Sequence, residues 1–341
     1  MSTATLTQSP PRQRSPSRRL GLVVVLTSLV VIAVLSLMLG AKSIAVGDVW
    51  GGLTDPDSSH YAVVHGLRLP RTILGLAAGA ALGLSGALLQ AATRNPLADP
   101  GLLGVNSGAA VAVVSATYFL GVSTYSATLP FAFAGAAVAA TACYLIAGAG
   151  RATPAALALA GAAITAAGLS YVQGIQILDA ATLNQMRYWQ VGSLVSAHST
   201  PLTVTVALIA AGLALGLLLA RPLNSLALGE ATARGLGLSP TKLRIGIILA
   251  VTVLAGTATA ACGPIVFVGL VIPHVVRFFV GVDNRWILPY SALVGALFLV
   301  TVDILGRLLA RPGEVQVGVL CAVIGGPFFL YLVSRRKVAA L

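Results

Sequence analysis

Acidic side chains are scarce in this sequence: nine Asp and Glu among 341 residues, with 9% charged residues in all. A soluble domain carries about 25% charged residues, so this chain could not cover one in water. It also lacks a GxxxxGKS/T loop, which excludes a phosphate-cradling ATPase site of its own. The three cysteines, Cys143, Cys262 and Cys321, lie far apart inside apolar runs. They offer neither a CxxC pair nor a metal spacing and read as small packing residues, so no metal site is expected. No Ser/His/Asp set or carboxylate pair suggests an enzyme.

What is abundant is apolar. Hydrophobic residues make up 57% of the chain and the mean hydropathy is +0.94, so most of the surface must face lipid. The net charge of +12 invites a nucleic-acid reading. The basic residues are scattered between apolar runs without aromatic stacking partners, which argues against it.

A helix needs about 20 apolar residues to cross about 30 Å of hydrocarbon. Ten such runs stand at 21–40, 71–91, 103–121, 128–149, 153–177, 200–220, 245–262, 263–279, 286–306 and 315–334. The expected fold is all-α, a polytopic membrane bundle of about ten transmembrane helices. With the N-terminus inside, fifteen Lys and Arg fall on the cytoplasmic side. Six fall outside: Lys42, Arg68, Arg71, Arg187, Arg307 and Arg311. That excess fits the positive-inside rule and puts both termini in the cytoplasm. Merging 245–262 with 263–279 would export the Arg335-Arg336-Lys337 cluster. Residues 1–20, rich in Ser, Pro and Arg, are expected to be a disordered cytoplasmic tail ahead of a membrane domain at 21–341. The first apolar run is too long for a signal-peptide core, and no cleavage site follows it.

Gly75, Gly79 and Gly83 recur every four residues, followed by Gly86, and Gly212 and Gly216 repeat the spacing. Small residues at that period let membrane helices approach closely. Asp303 is the only acid inside a predicted span, one turn from Arg307, and reads as its partner. An ion-driven carrier would place acids in mid-membrane. His274 lies in an apolar stretch without a second ligand and suits packing or capping. His60, His65 and His198 fall in outer loops.

Three segments stand apart. Residues 94–108 hold Asn95, Pro96, Asp99, Pro100 and Gly104, and the prolines and glycines forbid a regular helix, leaving a re-entrant element or a tight turn. The inner loop 221–244 carries a short helix expected over Leu226–Arg234, with Glu230 and Arg234 paired and Gly235 and Gly237 ending it. It reads as a handle for a partner or a solvated connector. Gly263 and Pro264, then Pro273 and His274, frame a half-length span that reads as a broken helix lining a pathway.

Taken together these segments resemble the FecCD family of ABC-transporter permeases, which includes cobalamin and iron–siderophore importers. The matching stretches are Leu67-Arg68-Leu69-Pro70-Arg71, Asn95 to Gly104, Trp189-Gln-Val-Gly-Ser193, Leu226 to Gly237, Gly263 to Arg277, and Gly325-Gly326-Pro327-Phe328-Phe329. The resemblance covers residue 20 onward. It implies a multi-pass permease of the cell membrane, working with a second permease subunit (a copy or a paralogue), a cytoplasmic ABC ATPase dimer and an extracytoplasmic substrate-binding protein. This chain would then bind no cofactor, ATP and Mg residing on the ATPase. Ferric siderophores are the implied cargo, with cobalamin and haem as alternatives. By the same resemblance Leu226, Leu228, Gly229, Glu230, Ala231, Arg234, Gly235 and Gly237 form the ATPase-coupling helix. Arg68, Arg71 and Arg307 would dock the binding protein. Asn95, Pro96, Pro100, Gly104, Trp189, Gly263, Pro264, Pro273 and His274 would shape the pathway. One departure is Glu314-Val-Gln-Val-Gly318, where the family usually has a proline after Glu-Leu. The competing readings are an ion-coupled secondary transporter and a non-transporting scaffold.

Overall fold

A computed structural model describes residues 15–40, 42–148 and 153–335. Among them the chain is built from helices, in the order α1 (Ser15–Met38), α2 (Val46–Thr54), α3 (Tyr61–Val63), α4 (Leu69–Thr93), α5 (Val105–Leu120), α6 (Tyr125–Ile146), α7 (Pro154–Leu178), α8 (Ala180–Gln190), α9 (Leu202–Leu218), α10 (Ala220–Ala227), α11 (Glu230–Gly235), α12 (Pro240–Cys262), α13 (Val268–Val280), α14 (Asn284–Leu309) and α15 (Val317–Arg335). Local chemistry sets several starts. Thr153 and Ser239 each precede a proline and accept from the backbone N–H three residues on, at 3.2 and 3.4 Å. A hydroxyl cap followed by a proline leaves few amides orphaned in the first turn.

Among the described residues six helices are long and apolar enough to span a membrane, and a seventh span results if α9 and α10, bent by 41°, count as one. Three shorter apolar helices complete the set, α5, α13 and the apolar part of α15. Each of the ten sequence-derived runs therefore has its helix.

The boundaries differ in instructive ways. Residues 15–20, expected in the tail, belong to α1, because a proline in the first turn removes no helical hydrogen bond. The rest of the expected tail lies outside the described residues, as do Arg151 and the cluster beyond Arg335. The inner segment 221–244 is mostly helical rather than loop. Its expected helix over Leu226–Arg234 is instead two, α10 and α11, separated at Gly229 with φ +112°. α13 has 13 residues, about 20 Å of helix, so it is a half-span. Residues 264–267 reach it in non-helical form.

α4 runs through the middle of the bundle, with 78% of its apolar window enclosed, whereas α1 lies at the edge with 11%. A methyl group at Gly79 or Gly83 would overlap the backbone of Gly295 or Ser291 in α14, and one at Gly86 would overlap Gly269 in α13. The glycine period thus brings α4 into backbone contact with two neighbours, a separation only glycine permits.

Candidate functional site

Functional groups gather at three levels. On the predicted outer side, Asp303 of α14 accepts from Arg71 of α4 at 2.7 Å and from the Arg307 Nε at 2.9 Å. Arg71 also reaches Glu314 at 2.7 Å. Arg307 donates to the Ser36 carbonyl and hydroxyl, both at 2.8 Å. Arg68 donates to the carbonyls of Leu37 and Met38 at 2.6 and 2.7 Å, and to that of Lys42. Arg68 and Arg307 therefore cap the carboxyl end of α1, where cations offset the helix dipole and satisfy loose carbonyls. Both are buried, and Arg71 is nearly so. The three arginines were expected to face outward for docking. The structure turns them inward, because Asp303 and the α1 carbonyls offer better partners than water does.

Deeper in, Ser193 N–H donates to the Cys262 carbonyl at 2.7 Å, and Gly318 N–H donates to the Gly192 carbonyl at 3.1 Å. A methyl group at Gly263 would overlap the Trp189 carbonyl. The ends of α8 and α12 and the start of α15 are thereby joined at Trp189, Gly263 and Pro264. Behind α8 lies a cavity of about 350 Å³ lined by Tyr125, Trp189, Ser193, Cys262 and Gln316 among others.

Pro273 does not end its helix, as α13 continues to Val280. A proline inside a helix leaves the carbonyl four residues earlier without its donor, here Gly269. Gln90 of α4 supplies it, donating from Nε2 to the Gly269 and Leu270 carbonyls at 3.1 and 3.2 Å. Its Oε1 in turn accepts from Arg277. Gln90 thus holds the broken helix against the central one. His274 packs edge-on to Phe328 with ring centroids 6.0 Å apart.

On the predicted inner side, residues 94–104 form a fixed wedge. Asn95 Oδ1 accepts from Leu97 N–H at 3.0 Å, and Asp99 caps the Pro100–Leu103 turn through Gly101 N–H at 2.8 Å. Gly104, at φ +73°, then starts α5. Pro96 and Pro100 stand at the two bends of this wedge. The next element, α10–α11, is held from two sides. Arg94 donates to the Leu226 carbonyl from the end of α4. Arg244 of α12 forms an ion pair with Glu230, which also pairs with Arg234 at 3.4 Å. Leu228, between these clamps, is 69% exposed, and Leu236, at the end of α11, is 62% exposed, so two leucines project from the element. Ala231, Gly235 and Gly237 lie in or just after the same short helix. Asn224 of α10 is tied to α14, donating to Asp283 Oδ1 at 2.6 Å and accepting from Asn284 N–H at 2.9 Å. The Arg285 guanidinium, bound to the same carboxylate, holds Asp283 down at about 2.

The FecCD transport family matches residues 28–335 of this sequence. The chain belongs to that family. The permease is similar to the ferric enterobactin transport system permease protein FepD of Escherichia coli K12, at 42% identity over 311 residues, covering 90% of this chain and 93% of FepD. It is also 39% identical over 332 residues to the Fe(3+)-citrate import system permease protein YfmD of Bacillus subtilis 168, covering 96% and 98% of the two. A solved inward-facing metal-chelate type ABC transporter superposes with a TM-score of 0.81 at 30% identity, over 93% of this chain and 99% of that one.

Sequence reasoning missed Arg94, Gln90, Arg244, Leu236 and Glu314. Only Glu314 carried a signal, as the acid opening the last span.

Proposed function

We propose that this permease is the membrane-spanning subunit of a binding-protein-dependent importer that moves ferric siderophores inward, driven by ATP hydrolysed on a partner chain. The observation that carries this reading is the α10–α11 element. It is exposed on one side, carries two projecting leucines, and is clamped to α4 by Arg94 and to α12 by Arg244. A force applied there reaches the central spans directly. The named cargo of FepD and YfmD supports iron chelates as the class transported. Both termini lie in the cytoplasm in this reading, and a second permease subunit completes the conduit.

Docking of the external binding protein narrows to Arg71. Its Nη1 meets Glu314, whose side chain is 31% exposed, so an incoming carboxylate can exchange with Glu314. Arg68 and Arg307 act beneath it as scaffold. Asp303 argues against ion coupling, since two arginines already occupy the sole acid inside a span.

The test is uptake of radioactive iron, offered as a panel of ferric siderophores, in cells lacking the chain and in cells with it restored. The same cells are assayed with ATP depleted and the membrane potential held. Restored, ATP-dependent uptake of one chelate supports the proposal. Loss of labelled cobalamin or haem uptake instead would change the cargo, and iron uptake surviving ATP depletion would sink the ABC reading.

A further inference from the structure

Between the inner ends of α4, α13 and α14 lies a pocket of about 310 Å³ whose lining includes Gln90, Arg94, Arg277, Val282 and Asn284. Two of the lining residues are cations, and among the described residues no carboxylate lines it. Each guanidinium holds a neutral oxygen: Arg277 the Gln90 amide and Arg94 the Leu226 carbonyl. Neutral partners fix the two groups in place but leave both charges standing. Among the described residues neither arginine joins an ion pair. Asp283, in sequence between the lining Val282 and Asn284, is bound to Arg285 at 2.8 Å and to Asn224. Glu230, which lines a neighbouring pocket with Arg94, is held by Arg244.

Two like charges around one half-buried pocket repel, and more strongly than they would in water. An anion with several acceptor oxygens relieves that repulsion and engages the unused guanidinium donors. The position favours a lipid over a free ion. Arg94 caps α4, Val282 follows the end of α13 and Asn284 opens α14, so the pocket sits where spans end and headgroups begin. Val282 in its lining is 87% exposed, and Phe278 and Phe279, which follow the lining Arg277 along α13, are 80% and 68% exposed. Basic pockets between spans on the cytoplasmic side suit anionic headgroups.

We infer that this pocket is a binding site for the phosphate headgroup of an anionic phospholipid, with Arg94 and Arg277 on the phosphate and the acyl chains along Phe278, Phe279 and Val282. The lipid bridges α4 to the half-helix α13 and so sets how firmly the inner end of the bundle closes.

The full-length permease, purified in detergent and stripped of native lipid, is titrated with phosphatidylglycerol or phosphatidylcholine, and bound lipid is counted by native mass spectrometry. Phosphatidylglycerol should bind roughly tenfold more tightly or better. Arg94→Gln should weaken that preference. Val282→Glu, which sets a carboxylate in the lining without altering Gln90 or Leu226, should abolish it while the protein still folds. Equal binding of the two lipids, or a preference that survives both substitutions, overturns the site. Displacement of phosphatidylglycerol by equimolar inorganic phosphate would make it a free-anion site and overturn the lipid assignment. Expulsion of the lipid when the partner ATPase is added would make it a protein interface, with the same consequence.

Discussion

The Arg71 guanidinium of α4 grips the Asp303 carboxylate of α14 at 2.7 Å, while Arg307 holds the other oxygen of the same group from one turn further along α14. One acid thus joins two spans and, through Arg307, the end of a third. Asp303→Ala strands two enclosed guanidiniums, a change that costs about 3–5 kcal/mol when one partner of a buried pair is lost. The midpoint of thermal unfolding of the purified permease should fall clearly. An unchanged midpoint would mean that the arginines find other partners.

Glu314 competes for Arg71 at the surface. Glu314→Gln should tighten docking of the binding protein several-fold, and Arg71→Ala should weaken it, as measured by surface-immobilised binding. Tighter docking in neither Glu314→Gln nor a charge-reversed variant would remove Arg71 from the docking contact.

Much of this was legible in the sequence, and the remainder has a common cause. The ten apolar runs follow from hydropathy alone, and the break at Gly263-Pro264 follows from backbone chemistry. The Asp303–Arg307 pair follows from helical spacing. Distance along the chain hides the rest: Gln90 compensates for Pro273 from a helix 179 residues earlier than the carbonyl it serves. Arg68 and Arg307 looked outward because they stand near span ends, and nothing local reveals that the α1 carbonyls wait beside them. Gly229 was visible but read as helical, since a left-handed break leaves no mark in composition.

Glycine contacts between α4 and α14 give a sharp contrast. Gly83→Ala would drive a methyl group into the Ser291 carbonyl and force the two helices apart, whereas Gly174 in α7 has open space around it. Gly83→Ala should lower stability by about 1–3 kcal/mol, as overpacking does. Gly174→Ala should be neutral, or stabilising by up to about 1 kcal/mol from helix propensity. Similar melting temperatures for the two variants would contradict the packing.

Glu230 and Arg244 should act as a unit in coupling. Glu230→Lys should let the partner ATPase turn over without uptake, and the swapped pair Glu230→Arg with Arg244→Glu should recover part of the transport. Leu228→Asp and Leu236→Asp should weaken ATPase binding while leaving membrane insertion unchanged. Recovery no better in the swap than in the single variant would show that the pair does not transmit motion.

The Asp283 clamp has a defined pH window. Its folded value of about 2 lies below the ordinary aspartate value of about 3.9, so its stabilisation is fully present above the unfolded value and is lost as pH falls through about 2. Hydrogen exchange in α10, corrected for intrinsic rates, should stay flat from about pH 8 to about pH 4 and rise only below that. A rise near neutral pH would assign the titration to another group.

Backbone contact along the glycine seam has one more consequence, for measurement. Two helices that touch through their main chains cannot slide without collision, so α4 and α14 must travel together whatever the transporter does. Paired spin labels at their ends would report one constant separation through every stage of the cycle. That pair can serve as a fiducial against which the displacement of α8 and α11 is gauged.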